Sequence, residues 1–413
     1  MINELKSLTE KNIGFKIKSR GDCHILSDLI ISKTDKDINY NTLRRFFGLD
    51  KPRKPQQKTL DILSEFNGFK SFADFSNLYP VKFSWKLREE IYEKLNLDSN
   101  EGLISYLNTL SPRQYDLIDT LVIVLRELLL RKDYETIKLC FNLDIFNPKN
   151  FQYSELLYLG NSIGLIMRKH QYDYSQFVET KHFAETVFTT FVDYSSLNKN
   201  YGVCAKKVFC TTTNNDLKLF SGLVLQLIKV INNKPVSFDF DHLINSKTHP
   251  ILFGRYLSLK IHRLKKDKVF YLLEQFKTKF QSKSYAIDYV YELMFFAMLT
   301  KNFVVMEWIT LNFKSEKIIS RYYREWHYST LILVELILKI YHNKVEGLES
   351  KLATLTNVKP RYSYDSFFRI FMCVVQYHLK IEPTKQLKTY NSIKRSLEYP
   401  IFDEDYCKNY FSS

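Results

Sequence analysis

Apolar side chains recur at helical spacing in segment after segment from Phe83 onward, and few chain-breaking residues interrupt them. Leu117, Leu121, Val124, Leu125 and Leu128 fall on one face of a helix of about 3.6 residues per turn, as do Leu217, Phe220, Val224, Leu227 and Ile231. The 413 residues include only 11 Gly and 10 Pro, whereas a β-rich chain needs many turn residues to join short strands. The fold class expected is all-α. With 45% hydrophobic and 15% aromatic residues, the chain can bury one large core or about two to three ordinary ones.

Residues 1–80 differ in texture from the rest. They hold short helical patterns separated by polar turns, a basic loop with two prolines (LDKPRKPQQK, 49–58), a further helix start at Thr59 and an end at Tyr79-Pro80. The pattern implies two domains, 1–80 and 81–413. In the second, long helices are expected to begin near Pro112, Tyr153, Asn214, His249, Ser284, Trp326 and Tyr362. Several of these starts lie about 35–40 residues apart, the period of helix-hairpin repeats. The tetratricopeptide consensus itself is absent, so the body is expected to be a TPR-like helix-hairpin solenoid or an irregular helical bundle.

The 60 Lys and Arg outnumber the 45 Asp and Glu, giving a formal charge of +15. Such a field attracts polyanions, namely nucleic acid or an anionic membrane surface. Abundant Lys, Asn, Ile, Tyr and Phe also fit an AT-rich coding sequence, which raises Lys without selection for binding. The six cysteines (Cys23, Cys140, Cys204, Cys210, Cys373 and Cys407) show no C-x-x-C pair and are expected to be free, mostly buried thiols. The first residues lack an apolar leader core, and the most apolar runs, from Leu121 and from Leu331, are too short and too charged to span a bilayer. The cytoplasm is the expected location, with no membrane partner.

The segment DCHILSDLIISKTDKDINYNTLRRFFGL (22–49) resembles a helix-turn-helix. Leu26, Leu29 and Ile30 form the expected inner face of a first helix. After the connection Thr34-Asp35-Lys36-Asp37, Ile38 packs inside and Asn39 caps a second helix opening with Thr42-Leu43-Arg44-Arg45, much as in repressors of the phage and lac types. That connection is about three residues longer than the tight turn usual in those repressors. The resemblance implies that Leu43, Phe46 and Phe47 face the core. It leaves Tyr40, Asn41, Arg44 and Arg45 exposed, with amide and guanidinium groups suited to base edges and phosphates. The loop adds Lys51, Arg53, Lys54 and Lys58, so residues 44–58 hold six cations against the single anion Asp50, and cations so placed position a domain on duplex DNA. The segment 59–75 resembles the supporting helices that follow, with Leu60, Leu63, Phe66, Phe69, Phe72 and Phe75 as its apolar set. The overall layout resembles bacterial regulators that join a helix-turn-helix to a helical-repeat domain sensing a peptide or partner.

A second basic surface is expected from Arg255, Arg263, Lys265, Lys266, Arg321 and Arg324, where cations beside Tyr and Trp suit single-stranded nucleic acid. The plainer alternative is snorkelling side chains on solvated helix faces. Arg321 with His327, and Arg255 with His262, show the Arg-x(4–6)-His spacing of the HEPN ribonucleases, a spacing that arises by chance at this composition. In FDFDH (238–242) two carboxylates and an imidazole come close together; Asp239 or Asp241 is expected to cap a helix start rather than bind a metal. There is no Walker lysine loop, G-x-G-x-x-G, H-E-x-x-H or G-x-S-x-G, so neither a cofactor nor a catalytic residue is expected. The leading expectation is a DNA-binding regulatory or mobile-element/defence-associated protein. It would bind double-stranded DNA through its head and a protein or peptide through its body, with a homo-oligomer as a further arrangement. The alternatives are a scaffold or adaptor that touches no DNA, and a HEPN-like ribonuclease.

Overall fold

Every regular element among the described residues is helical. The computed structural model describes residues 1–51, 53–96, 100–112, 117–237, 239–279, 286–313, 324–356 and 364–412. The chain divides into two compact units, Met1–Asp98 and Ser99–Ser413. The division falls later than Pro80 because one helix, Phe72–Leu95, continues through Tyr79 and Pro80. A proline inside a helix removes one backbone hydrogen bond, and here that loss does not end the element.

The first unit contains α1 (Ile2–Ile13), α2 (Arg20–Thr34), α3 (Tyr40–Phe46), α4 (Gln57–Phe66) and α5 (Phe72–Leu95). Side chains satisfy the free amides at three of the starts. Ser19 and Asp22 form a reciprocal capping box on α2, Asn39 accepts from the Asn41 amide at 2.8 Å, and Ser71 accepts from the Asp74 amide at 3.1 Å. The residues 59–75 form parts of two helices, and Gly68, at φ +86°, turns the chain between α4 and α5.

Leu5, Cys23, Leu26, Ile30, Leu43, Phe46, Leu63, Phe66 and Phe75 form one core, with Phe47 and Phe72 partly buried against it. Leu29 is not part of that core and is 39% exposed. The buried stripe of α2 runs through Cys23, Leu26, Ser27 and Ile30, the spacing that shares one helix face, and Leu29 falls outside it.

In the second unit the periodicity places helices well. Expected starts at Tyr153, Asn214 and His249 correspond to Tyr153–Lys169, Asn215–Ile231 and Pro250–His262, and those near Trp326 and Tyr362 to Arg324–Tyr341 and Asp365–His378. Pro112 precedes residues outside the description and Leu117–Arg131; Ser284 and Tyr362 themselves lie outside it, ahead of Ile287–Leu299 and Asp365–His378. All 13 residues of Ile287–Leu299 are buried, so this helix is the axis of the unit's core. It packs on Pro250–His262, Phe303–Asn312 and Arg324–Tyr341. No helix among the described residues is long and apolar enough to cross a membrane.

Gly254 brings its helix close to the axis, since a Cβ there would meet the Tyr289 carbonyl oxygen at 2.4 Å. Gly254→Ala is expected to force the two helices apart and destabilise the protein by about 1–3 kcal/mol, measured by chemical denaturation. All six cysteines are free thiols, and only Cys210 is exposed. Burial pushes Cys140 and Cys407 up to about 12. A thiol-reactive dye applied to the native protein should therefore label Cys210 alone, and labelling of Cys140 at a comparable rate would contradict this packing.

Candidate nucleic-acid interface

The short helix α3 and the loop behind it carry the densest run of cations in the first unit. Gly48, at φ +80°, ends α3, with the Gly48 and Leu49 amides returning to the Arg45 and Arg44 carbonyls at 3.3 and 2.8 Å. This turn sends the following residues along the surface. Arg45, Lys51, Arg53, Lys54 and Lys58 are all exposed.

The remaining residues read as groove-facing are held more closely. Tyr40 is half-buried, stacked on the His24 ring at 3.9 Å, and its hydroxyl accepts from Arg20 Nη2 at 2.9 Å. Arg44 is also half-buried; it donates to Asn41 Oδ1 at 3.3 Å and lies 3.9 Å from Asp50 Oδ2. Of the four α3 residues expected to stand free, only Arg45 is fully exposed. Arg44, Tyr40 and Asn41 are partly covered because α3 is a single short helix whose outer side chains reach α2 and the loop. Arg20, which sequence reasoning did not single out, is exposed on α2 beside Tyr40. Nothing in the spacing of residues 20 and 40 announces that contact.

The predicted second basic surface divides. Arg263, Lys265 and Lys266 are exposed. Arg321 lies outside the described residues, and Arg324 opens the helix Arg324–Tyr341. Arg255 belongs to no surface: it is 3% exposed, because Pro250–His262 is buried on nearly all sides.

Arg255 meets a carboxylate of the axial helix instead. Its Nη2 donates to Glu292 Oε1 at 2.9 Å and its Nε to Oε2 at 3.3 Å. Nη2 also donates to the Tyr194 hydroxyl at 2.6 Å. The Tyr194 and Tyr364 hydroxyls are 2.6 Å apart, and Tyr364 donates to Glu292. Burial alone opposes a charged guanidinium, but Glu292 and the two tyrosine oxygens outweigh it and hold Arg255 more firmly protonated than usual. Burial first, and then Glu292, push the Tyr364 phenol up, so it remains a donor.

The ribonuclease-like spacings do not assemble a site from the residues described. Arg255 is committed to Glu292, while His262 is exposed and edge-on to Phe296. His327 is fully buried, with Nδ1 3.1 Å from Asp288 Oδ1. In the 238–242 run, Phe238 lies outside the described residues. Asp241 caps no helix; its carboxylate accepts from Tyr256 at 2.8 Å and Lys260 at 2.6 Å, partners that the sequence places a few helical turns away. Among the described residues, no group of three or more His, Cys, Asp or Glu is placed to hold a metal ion.

No protein family model matches the chain, and no curated protein and no solved structure is significantly similar to it.

The buried pair makes a sharp energetic prediction. Glu292→Gln leaves a guanidinium without its counter-charge and should cost about 3–5 kcal/mol. Replacing both partners together, Arg255→Met with Glu292→Leu, should recover most of that loss in the same denaturation measurement.

Proposed function

We propose that this is a DNA-binding regulatory or mobile-element/defence-associated protein. Its first unit holds duplex DNA, and its second unit carries contacts to a protein or peptide. The observation that supports this reading is the exposure of Arg45, Lys51, Arg53, Lys54 and Lys58 on one short helix, the loop that follows it and the first turn of α4. Asp50, the anion of that stretch, is drawn toward Arg44, so the five exposed cations face solvent without a local counter-charge from it.

In this reading α3 lies against the major groove. Arg45 reaches a base edge or phosphate, the loop cations neutralise neighbouring phosphates, and Arg20 extends the same face. Tyr40 and Arg44 brace α3 on α2 and Asp50 and so take a positioning role. The exposed Arg263, Lys265 and Lys266 belong to the second unit, where the proposal assigns macromolecular contacts rather than sequence reading. The helical-repeat character of that unit and a cytoplasmic location form part of the same proposal.

The test is the salt dependence of duplex binding by the full chain, followed by fluorescence anisotropy. Each phosphate contact contributes about 0.9 to the slope of log K against log salt. Arg45→Ala with Lys54→Ala and Lys58→Ala should lower that slope by about 2–3 and weaken binding about 10–100-fold at low salt. Equal affinity and equal slope for the wild type and the triple variant would remove the proposal's support.

A further inference from the structure

The second unit contains a half-open cavity of about 370 Å³, within the range of about 300–1,000 Å³ typical of small-molecule sites. Its walls are mostly apolar, including Tyr153, Leu157, Leu217, Phe220, Leu252 and Trp326. Its polar groups are segregated by depth. Arg255, Glu292, Tyr194 and Tyr364 are all buried, whereas Asp216 is exposed and Glu185 is half-buried. The inner end is therefore the buried network described above, and the outer end is acidic.

The inner end leaves a donor unsatisfied. Arg255 Nη1 is buried and has no hydrogen-bond partner among the described residues, although the other nitrogens of the guanidinium are engaged. A buried donor left unmet is costly, and most such groups find a partner. Glu185 accepts from Asn214 Nδ2 at 3.3 Å, but neither it nor Asp216 has an ion-pair partner among the described residues, and Arg255 is the single lysine or arginine in the described lining. A chain of net charge +15 thus carries a cavity whose lining is acidic. Glu185 lies in a π-helical turn, Ala184–Phe188, closed by the Thr189 amide on the Ala184 carbonyl at 3.0 Å, an irregularity frequent at functional sites.

We propose that this cavity binds a small organic amine, with an apolar or aromatic middle and an uncharged oxygen at the end remote from the amine. The oxygen accepts from Arg255 Nη1. A carboxylate there would be repelled by Glu292, which already takes two of the arginine's N–H groups, so the acceptor is a hydroxyl or carbonyl. The apolar middle replaces water against the leucine and aromatic walls. The ammonium faces Asp216 and Glu185. This site is independent of whether the first unit holds DNA.

Three probes of one skeleton separate these contributions: tyramine, phenethylamine without the oxygen, and 4-hydroxyphenylacetate with the charge reversed. Titration of the full chain, followed by calorimetry or ligand-observed NMR, should rank tyramine tightest. Phenethylamine should be several-fold weaker, and the anion at least about tenfold weaker. Asp216→Asn, an exposed change, should weaken both amines and leave their ratio intact. Leu157→Trp should fill the cavity and abolish binding while retaining a cooperative unfolding transition. Should that variant fail to fold, Leu252→Trp is the alternative plug. Binding of the anion as tight as that of tyramine, binding by none of the three, or unchanged binding in a folded plugged variant would each overturn the proposal.

Discussion

A charged arginine inside a helical core is tolerable only where a carboxylate and further acceptors surround it, and here that requirement draws together four separate stretches of chain. Arg255 comes from one helix, Glu292 from the buried axis, Tyr194 from a loop and Tyr364 from the residue before another helix. Tyr399 extends the set, donating to the Tyr194 carbonyl at 2.7 Å and accepting from the Leu197 amide at 3.0 Å. Attraction grows as the effective dielectric constant falls, and so does the penalty for separating the partners. The apolar contacts of these helices tolerate small shifts; the polar set does not, and it selects one arrangement among those that the apolar surfaces permit.

The axial helix carries a second buried acid, Asp288, one turn before Glu292. It faces His327 from Arg324–Tyr341, so two neighbouring helices are tied to the axis by electrostatics as well as by packing. Polar groups in such a position are expensive when half satisfied and strongly specifying when complete. At the Arg255 guanidinium that completion stops short among the described residues, at Nη1.

The helical class and the starts of the longer helices named in the second unit were legible in the sequence, because a long amphipathic or buried helix writes its period into the chain and its cap into the preceding residue; the shorter helices between them, such as Tyr134–Asn142 and Phe303–Asn312, were not. Asn39 and Asn214 cap as their positions imply. What periodicity does not carry is the identity of the partner across the core. Arg255 shares its helix with the exposed His262 and precedes a run of exposed cations, so local composition suggests a solvated face. The available signal lay elsewhere: Glu292 sits in the otherwise apolar run YELMFFAML, and a lone acid there demands a buried cation. In the first unit, the inward placement of Leu43 and Phe46 agrees with what the helix-turn-helix resemblance implies, whereas the exposure of Leu29 and the bracing of Tyr40 by Arg20 and His24 depend on how short helices meet. No local pattern encodes that.

Gly254 and Arg255 are adjacent, yet they meet the axial helix at two different depths: the glycine at the Tyr289 backbone and the arginine at the tip of Glu292, three residues further on. A slip of one residue along a helix advances it about 1.5 Å and turns it about 100°, which would break both engagements at once. The dipeptide therefore works as a keyed joint, in which the missing side chain sets the gap and the long one sets the rotation. Gly-Arg opposite Tyr-x-x-Glu thus sets spacing and register at this crossing, and it can do so only with the Tyr194 and Tyr364 hydroxyls completing the surroundings of the guanidinium.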